Sequence, residues 1–201
     1  MRLGIFGGSF DPVHYGHLLV AETCREEARL DEVWFMPAAT PPHKRHISLA
    51  SAKQRVEMLE LAIAGHGSLR VSTIEIDRGG LSYTVDTLRT IHDAQPGDEL
   101  FLLMGGDTLE DLPKWREPAE ILKLATPIAV ERHGSPEPNY AALTALVSAE
   151  RLQEIRSLRV AMPVIELSAT DIRERIQAGK SIRYRTPRAV EKYIETHGLY
   201  K

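Results

Sequence analysis

Apolar and polar positions follow two rhythms along this chain, in which short apolar runs take turns with longer stretches of helical spacing. Leu3 to Phe6 reads as a strand, Leu18 to Arg29 as a helix, and Glu32 to Met36 as a second strand that stops at Pro37. Ala38 to Leu49 is loop-like. Ser51, with Gln54 three residues on, forms a capping-box pattern, and Val56, Leu59 and Ile63 keep helical spacing until Gly65 to Gly67 ends the helix. Leu69 to Ile76 is strand-like, Asp77 to Gly80 a turn, and Tyr83 to His92 a further helix. Leu100 to Met104 is a continuous apolar run, the pattern of a central parallel strand covered on both faces. Leu109 to Leu124 predicts helix broken at Pro113 and Pro118, followed by a strand from Pro127 to Glu131 with Arg132 at its end. Past the loop His133 to Asn139, Tyr140 to Leu158 is mostly helical and Arg159 to Leu167 strand-like, interrupted at Pro163. Ser168 caps a helix running to about Ala178, with Asp171 in the capping-box position. Thr186-Pro187 opens the last helix with proline at its first position, and Gly198 closes it.

Strands exchanged with helices in this way predict an α/β fold with a doubly wound sheet of parallel strands. The length, 201 residues, suits a single domain over 1–201. Ligands in such sheets bind beyond the carboxyl ends of the strands. The turn Gly7 to His17, the Pro41-Pro42-His43-Lys44 loop, Gly105-Gly106-Asp107, Arg132 and the turn Leu167 to Thr170 each lie just after a predicted strand, and are expected to share one rim.

The net charge of −3 argues against sequence-independent nucleic-acid binding. No apolar run approaches a membrane span, and Met1-Arg2-Leu3 leads straight into a strand with no signal peptide, so a cytoplasmic location is expected. Cys24 lies alone on the apolar side of the first helix with Val20 and Ala28, a buried thiol in a reducing compartment. Nothing in the pattern speaks to oligomeric state.

The chemistry concentrates in Gly7 to His17, reading GGSFDPVHYGH. A strand-to-helix turn presents unpaired N–H groups and positive dipole charge, and Gly7 and Gly8 let a polyphosphate approach the backbone. Ser9 and Asp11 can hydrogen-bond nearby backbone, Pro12 fixes one dihedral, and His14 and His17 add donors. The stretch is neither a P-loop nor the GxGxxG fingerprint. A zinc site of His14, His17, His43 and His46 is the weaker alternative, since such sites usually recruit cysteine or a closely spaced third ligand. No metal held by a dedicated protein site is expected.

Closed by H-x-G-H, this turn resembles the signature of the nucleotidylyltransferase superfamily. With PAATPPHK at Pro37 to Lys44, SYTVDT at Ser82 to Thr87, MGGDTLEDLPKW at Met104 to Trp115 and LSATDIR at Leu167 to Arg173, nearly the whole chain resembles the bacterial nicotinate-mononucleotide adenylyltransferases. The resemblance implies a Rossmann-like nucleotidylyltransferase fold, adenylyl transfer from ATP to nicotinate mononucleotide with release of pyrophosphate, and Mg²⁺ entering with ATP. It implies His14, His17 and Lys44 in catalysis, His17 being the stabiliser of transition-state charge. It implies ATP binding by Gly7, Gly8, Ser9, Phe10, His14, His17, Gly105, Asp107, Ser168, Thr170 and Arg173. Mononucleotide binding is implied for His43, Lys44, Tyr83, Thr84, Trp115 and Arg132, with the ring against Trp115 and backbone N–H groups near Thr84 and Trp115 meeting the carboxylate. The family commonly has a hydroxyl where this chain has Ala169. A phosphopantetheine adenylyltransferase would share the histidine turn without PPHK and LPKW. A class I aminoacyl-tRNA synthetase fragment would need a KMSKS-like loop, which is missing. A noncatalytic nucleotide-binding module would have no need of both histidines, Lys44 and Asp107.

Overall fold

A computed structural model of the chain describes residues 1–39, 50–132, 138–163 and 165–201. Its strands are β1 (Arg2–Gly8), β2 (Glu32–Pro37), β3 (Leu69–Val71), β4 (Glu99–Gly105), β5 (Ala125–Arg132) and β6 (Arg159–Met162). They form one six-stranded sheet in the order β3-β2-β1-β4-β5-β6. This order reverses between β1 and β4, which is the doubly wound arrangement expected from the alternating pattern. β1 pairs parallel to β4 from Arg2↔Glu99 to Ile5↔Leu102, β4 to β5 from Leu100↔Ala125 to Gly105↔Val130, and β5 to β6 from Ala129↔Arg159 to Arg132↔Met162. Leu100 to Met104 are all buried, as a strand covered on both faces requires.

The helices are α1 (Tyr15–Glu27), α2 (Ala52–Ile63), α3 (Ile74–Arg78), α4 (Thr84–Ala94), α5 (Gly106–Asp111), α6 (Pro118–Leu124), α7 (Ala149–Ser157), α8 (Ala169–Gln177) and α9 (Arg188–His197), with short 3-10 turns at Leu112–Lys114 and Tyr140–Leu143. The chain divides into two compact units. One comprises Met1–Phe6, Val20–Trp34 and Tyr83–Val164, the other Gly7–Leu19, Phe35–Ser82 and Ile165–Lys201. The first is built on β4 and β5, with α4 against α6 and an Arg89–Glu117 ion pair of 2.5 Å joining them. In the second, α2 packs on α9, where the Tyr193 hydroxyl donates to Glu57. None of the helices among the described residues is long and apolar enough to cross a membrane.

Several boundaries differ from the sequence reading, each for a local reason. The strand expected over Leu69 to Ile76 stops at Val71, and Ile74–Arg78 turns helical, with Thr73 Oγ1 donating to Asp77 Oδ2 (2.7 Å) across its first turn. The strand expected over Arg159 to Leu167 ends at Met162, just before Pro163. Pro187 is the N-cap of α9 rather than its first residue, because the Thr186 hydroxyl is spent on the Val13 carbonyl (2.7 Å). Tyr140 to Leu158 is two pieces rather than one helix, the second capped by Ser148, whose Oγ accepts from Arg151 N–H. The capping box of Ser51 and Gln54 is formed as expected. Cys24 is fully buried, and burial pushes its thiol up to about 12.

Gly4 marks the tightest point of β1. A Cβ there would lie 2.7 Å from Leu30 Cδ1 and 3.1 Å from both Leu103 Cδ1 and Val33 Cγ2. Gly4→Val is expected to cost about 1–3 kcal/mol by overpacking, read as a lower urea midpoint at unchanged slope; an unaltered midpoint would contradict this packing.

Candidate active site

The histidine turn begins inside β1, at Gly7 and Gly8, and ends inside the first turn of α1. Among the described residues, a Cβ at Gly7 would meet no atom within 4 Å, so the backbone there is open on that side. Phe10 is buried in the left-handed region at φ 48°, a costly conformation for a residue with a Cβ and one that clusters at functional sites. Its ring stands edge-on to Phe35 (5.4 Å) and to His17 (5.0 Å). The His14 and His17 rings stack at 3.7 Å. His17 Nδ1 accepts the His14 backbone N–H (3.3 Å), which assigns the ring proton to Nε2 and makes that atom a donor. His14 is only 5% exposed, its Nδ1 is buried without a hydrogen-bond partner among the described residues, and desolvation lowers its pKa to about 4. Gly16 explains the third position of H-x-G-H: a Cβ would come within 3.0 Å of His14 Nδ1 and Cε1.

Side chains from distant segments hold this turn. Arg55, on the buried face of α2 with Met58 and Leu59, is 2% exposed and donates to Ser9 O (3.0 Å) and Ala38 O (2.7 Å). Arg173 donates to Asp11 O (2.7 Å), and Thr186 to Val13 O. Asp11, followed by a cis peptide to Pro12, is fully buried; its Oδ1 accepts from Ala50 N–H (3.1 Å) and from the Tyr200 hydroxyl (2.5 Å). Burial raises the Asp11 pKa against these hydrogen bonds, and raises that of Tyr200 also. The head of α8 belongs to the same unit. Ser168 Oγ accepts Asp171 N–H (3.0 Å) as the N-cap, Thr170 is exposed with its Oγ1 accepting from Arg173 (3.2 Å), and Leu167 Cβ lies 3.7 Å from the Cβ position of Gly16.

The other unit assembles a second group. Tyr83 is the N-cap of α4 with no side-chain cap bond, and Thr84 is the first helical residue, whose N–H has no intrahelical acceptor. The Arg116 guanidinium lies 4.8 Å from the Tyr83 ring centroid and 3.5 Å from Asp86, bringing the residue after Trp115 onto the start of α4. Trp115 is half-buried, and its own N–H donates to Leu112 O (2.9 Å). Gly105 ends β4 and caps α5, so Asp107 is not the helix cap but an exposed carboxylate in its first turn. Arg132 ends the backbone of β5. His43, Lys44 and His46, and with them the four-histidine zinc alternative, lie outside the described residues.

Sequence reasoning did not single out Arg55, Thr186, Arg116 or Tyr200 as parts of a site. Arg55 left a signal, a cation on the apolar stripe of a helix, where a charged residue is rarely buried without a task.

An open α/β sheet of order 3-2-1-4-5-6, with a histidine-bearing glycine turn at the end of its first strand, defines a nucleotide-handling transferase class. Residues 5–175 match the cytidylyltransferase-like family model. A probable nicotinate-nucleotide adenylyltransferase of Thermus thermophilus is 44% identical over 203 residues, covering 100% of both chains. One of Salinibacter ruber is 41% identical over 201 residues, covering 100% of this chain and 98% of its own. The chain belongs to the cytidylyltransferase-like family and, within it, to the nicotinate-nucleotide adenylyltransferases. Among solved structures, the Plasmodium falciparum nicotinic acid mononucleotide adenylyltransferase complexed with NaAD shares the fold at 18% identity, with a TM-score of 0.74 and coverage of 99% of this chain and 97% of its own.

The His14 environment carries a pH signature. Its folded pKa lies below the ordinary 6.5, so between about 6.5 and 4 the unfolded chain binds a proton that the folded chain refuses. Stability therefore falls as pH drops through that interval, by on the order of 3 kcal/mol in total. Asp11, displaced upward, has the opposite slope, so the difference between wild type and His14→Asn isolates the histidine. Urea unfolding from pH 7 to 4 should show a shallower decline for His14→Asn; parallel curves would refute the buried neutral imidazole.

Proposed function

We propose that residues 1–201 work as one domain that transfers the adenylyl group of ATP to nicotinate mononucleotide, giving nicotinate adenine dinucleotide and pyrophosphate. The observation that carries this reading is the held turn: an open backbone at Gly7, a buried neutral His14 and a His17 whose Nε2–H donates. The mononucleotide phosphate attacks the α-phosphorus of ATP, the bond from that phosphorus to the bridging oxygen breaks, and pyrophosphate leaves. Such a transfer needs alignment and neutralisation of anionic charge, and no nucleophilic side chain. In this reading His17 donates to the developing phosphate charge, Gly7, Gly8, Ser9 and Phe10 line the path of the triphosphate, and His14 packs beneath. Lys44 and His43 add donors for the phosphates. The α8 head, with Ser168, Thr170 and Arg173, receives ATP phosphate through its N–H groups, for which Ala169 needs no side chain.

Among the described residues no three His, Cys, Asp or Glu side chains group as metal ligands. Asp107 is nonetheless an exposed hard oxygen donor beside Gly105, the set that suits Mg²⁺ carried in on ATP. When bound, Mg²⁺ neutralises phosphate charge; Asp107 then orients the nucleotide. The mononucleotide lies against Trp115, with the Thr84 N–H and the Arg116 guanidinium toward its carboxylate, and Arg132 toward its phosphate. A reducing cytoplasm is the proposed compartment, on the buried free thiol of Cys24.

His17→Ala should lower kcat about a hundredfold or more with unchanged circular dichroism, and wild-type turnover should vanish with chelator and return with Mg²⁺. A His17→Ala enzyme within a few-fold of wild type would sink the assignment.

Substrate choice follows from hydrogen-bond matching. An amide NH₂ facing donors is a mispaired buried group, costing about 1–3 kcal/mol or one to two orders of magnitude in kcat/KM. Equal concentrations of nicotinate and nicotinamide mononucleotide should yield mainly the acid product. Trp115→Ala should raise KM for both and preserve their ratio, since stacking does not distinguish the rings. Equal use by the wild type, or a preference erased by Trp115→Ala alone, would refute this account.

A further inference from the structure

The turn from Ser9 to Val13 is gripped at alternate residues by different parts of the chain: Arg55 of α2 on Ser9 O, Arg173 of α8 on Asp11 O, and Thr186 on Val13 O. Each of these holds backbone. One contact holds a side chain from beyond α9, where the Tyr200 hydroxyl donates to Asp11 Oδ1 across 189 positions of sequence. Asp11 is fully buried, and its Oδ2 has no hydrogen-bond partner among the described residues. Among the described residues Oδ1 therefore carries the side chain's hydrogen bonds, one from Ala50 N–H and one from Tyr200. A buried carboxylate that loses one of so few donors must reorient or take up a proton, and either moves the backbone that leads into His14.

We propose that Tyr200 is a positioning residue for adenylyl transfer: by fixing the Asp11 carboxylate it holds the turn in the geometry that aims His17. The proposal rests on the assignment of that turn to the phosphates of ATP. Tyr200 itself touches no reacting group in this arrangement, so its effect passes through His17.

The measurement is a double-mutant cycle on the full chain, with Tyr200→Phe, His17→Ala and both together, assayed as pyrophosphate release from ATP and nicotinate mononucleotide well below the melting temperature of each. Tyr200→Phe keeps the ring and removes one donor. It should lower kcat about tenfold to a hundredfold, the size of one hydrogen bond to a charged acceptor, while both KM values stay within about twofold. In the His17→Ala background the same substitution should leave the residual rate unchanged, which is the non-additivity of two residues acting through one contact. A Tyr200→Phe enzyme with a lowered Tm and wild-type kcat would overturn the proposal and make the hydroxyl a matter of stability alone, and one losing the same factor with and without His17 would overturn it by showing an effect that does not pass through His17. A His17→Ala enzyme at wild-type turnover overturns the assignment beneath it instead, so the two failures are told apart.

Discussion

Burying an irregular turn creates an obligation that no helix or strand can meet. Phe10 to Val13 are all buried, yet this stretch runs neither as strand nor as helix, so its carbonyl oxygens have no ladder to join. Unpaired buried backbone groups are costly, and side chains must supply the partners. Arginine suits the task because its guanidinium offers five donors in a fixed fork. Arg55 spends them on carbonyls at Ser9 and Ala38, so one side chain fixes both the histidine turn and the outlet of β2. The Ala39 N–H, one residue further, donates to Ser82 Oγ (3.1 Å), which ties the same outlet to the segment before α4. Truncating Arg55 would strand acceptors at both places, whereas the loss of a surface arginine strands none.

The sheet supplies what the turn cannot supply for itself. β1 is held in register beside β4, whose five central residues are buried, and Gly4 fits only because Leu30, Leu103 and Val33 leave no room for a Cβ. The strand runs on through Gly7 and Gly8, and the chain then turns directly into α1. The helix begins at Tyr15, three residues earlier than its apolar spacing suggested, with Tyr15 N–H donating to Arg185 O (3.1 Å). The start of α1 is thus set by a contact to the segment before α9, so the histidines ride on a helix terminus anchored at both sides.

The alternation of strands and helices was legible in the chain because each element carries its own period, and the sheet order follows from that alternation by few topological choices. GGSFDPVHYGH was legible as a strand-to-helix turn because its glycines follow an apolar run and helical spacing begins soon after. What held the turn was not legible. Arg55, Arg173, Thr186 and Tyr200 converge on it from positions that spacing does not relate, and a hydrogen bond between residues 11 and 200 leaves no periodic trace. Trp115 illustrates a subtler loss: its ring could be read as a stacking face, but the engagement of its N–H by Leu112 depends on a 3-10 turn that Pro113 only hints at.

The paired histidines show how burial can assign two chemically identical groups to different work. With rings 3.7 Å apart, two imidazolium ions would repel by about 4 kcal/mol even at an effective dielectric constant near 20. One of the pair must stay neutral. The protein chooses His14, which lies close against Gly16 and is stripped of solvent, so its charged form is disfavoured by desolvation. His17, half-buried and propped edge-on by Phe10, receives the His14 N–H on Nδ1 and keeps its proton on Nε2. Gly16, the strained Phe10 and the desolvated His14 are then parts of one device, which holds the His17 ring with Nδ1 engaged and Nε2–H as a donor.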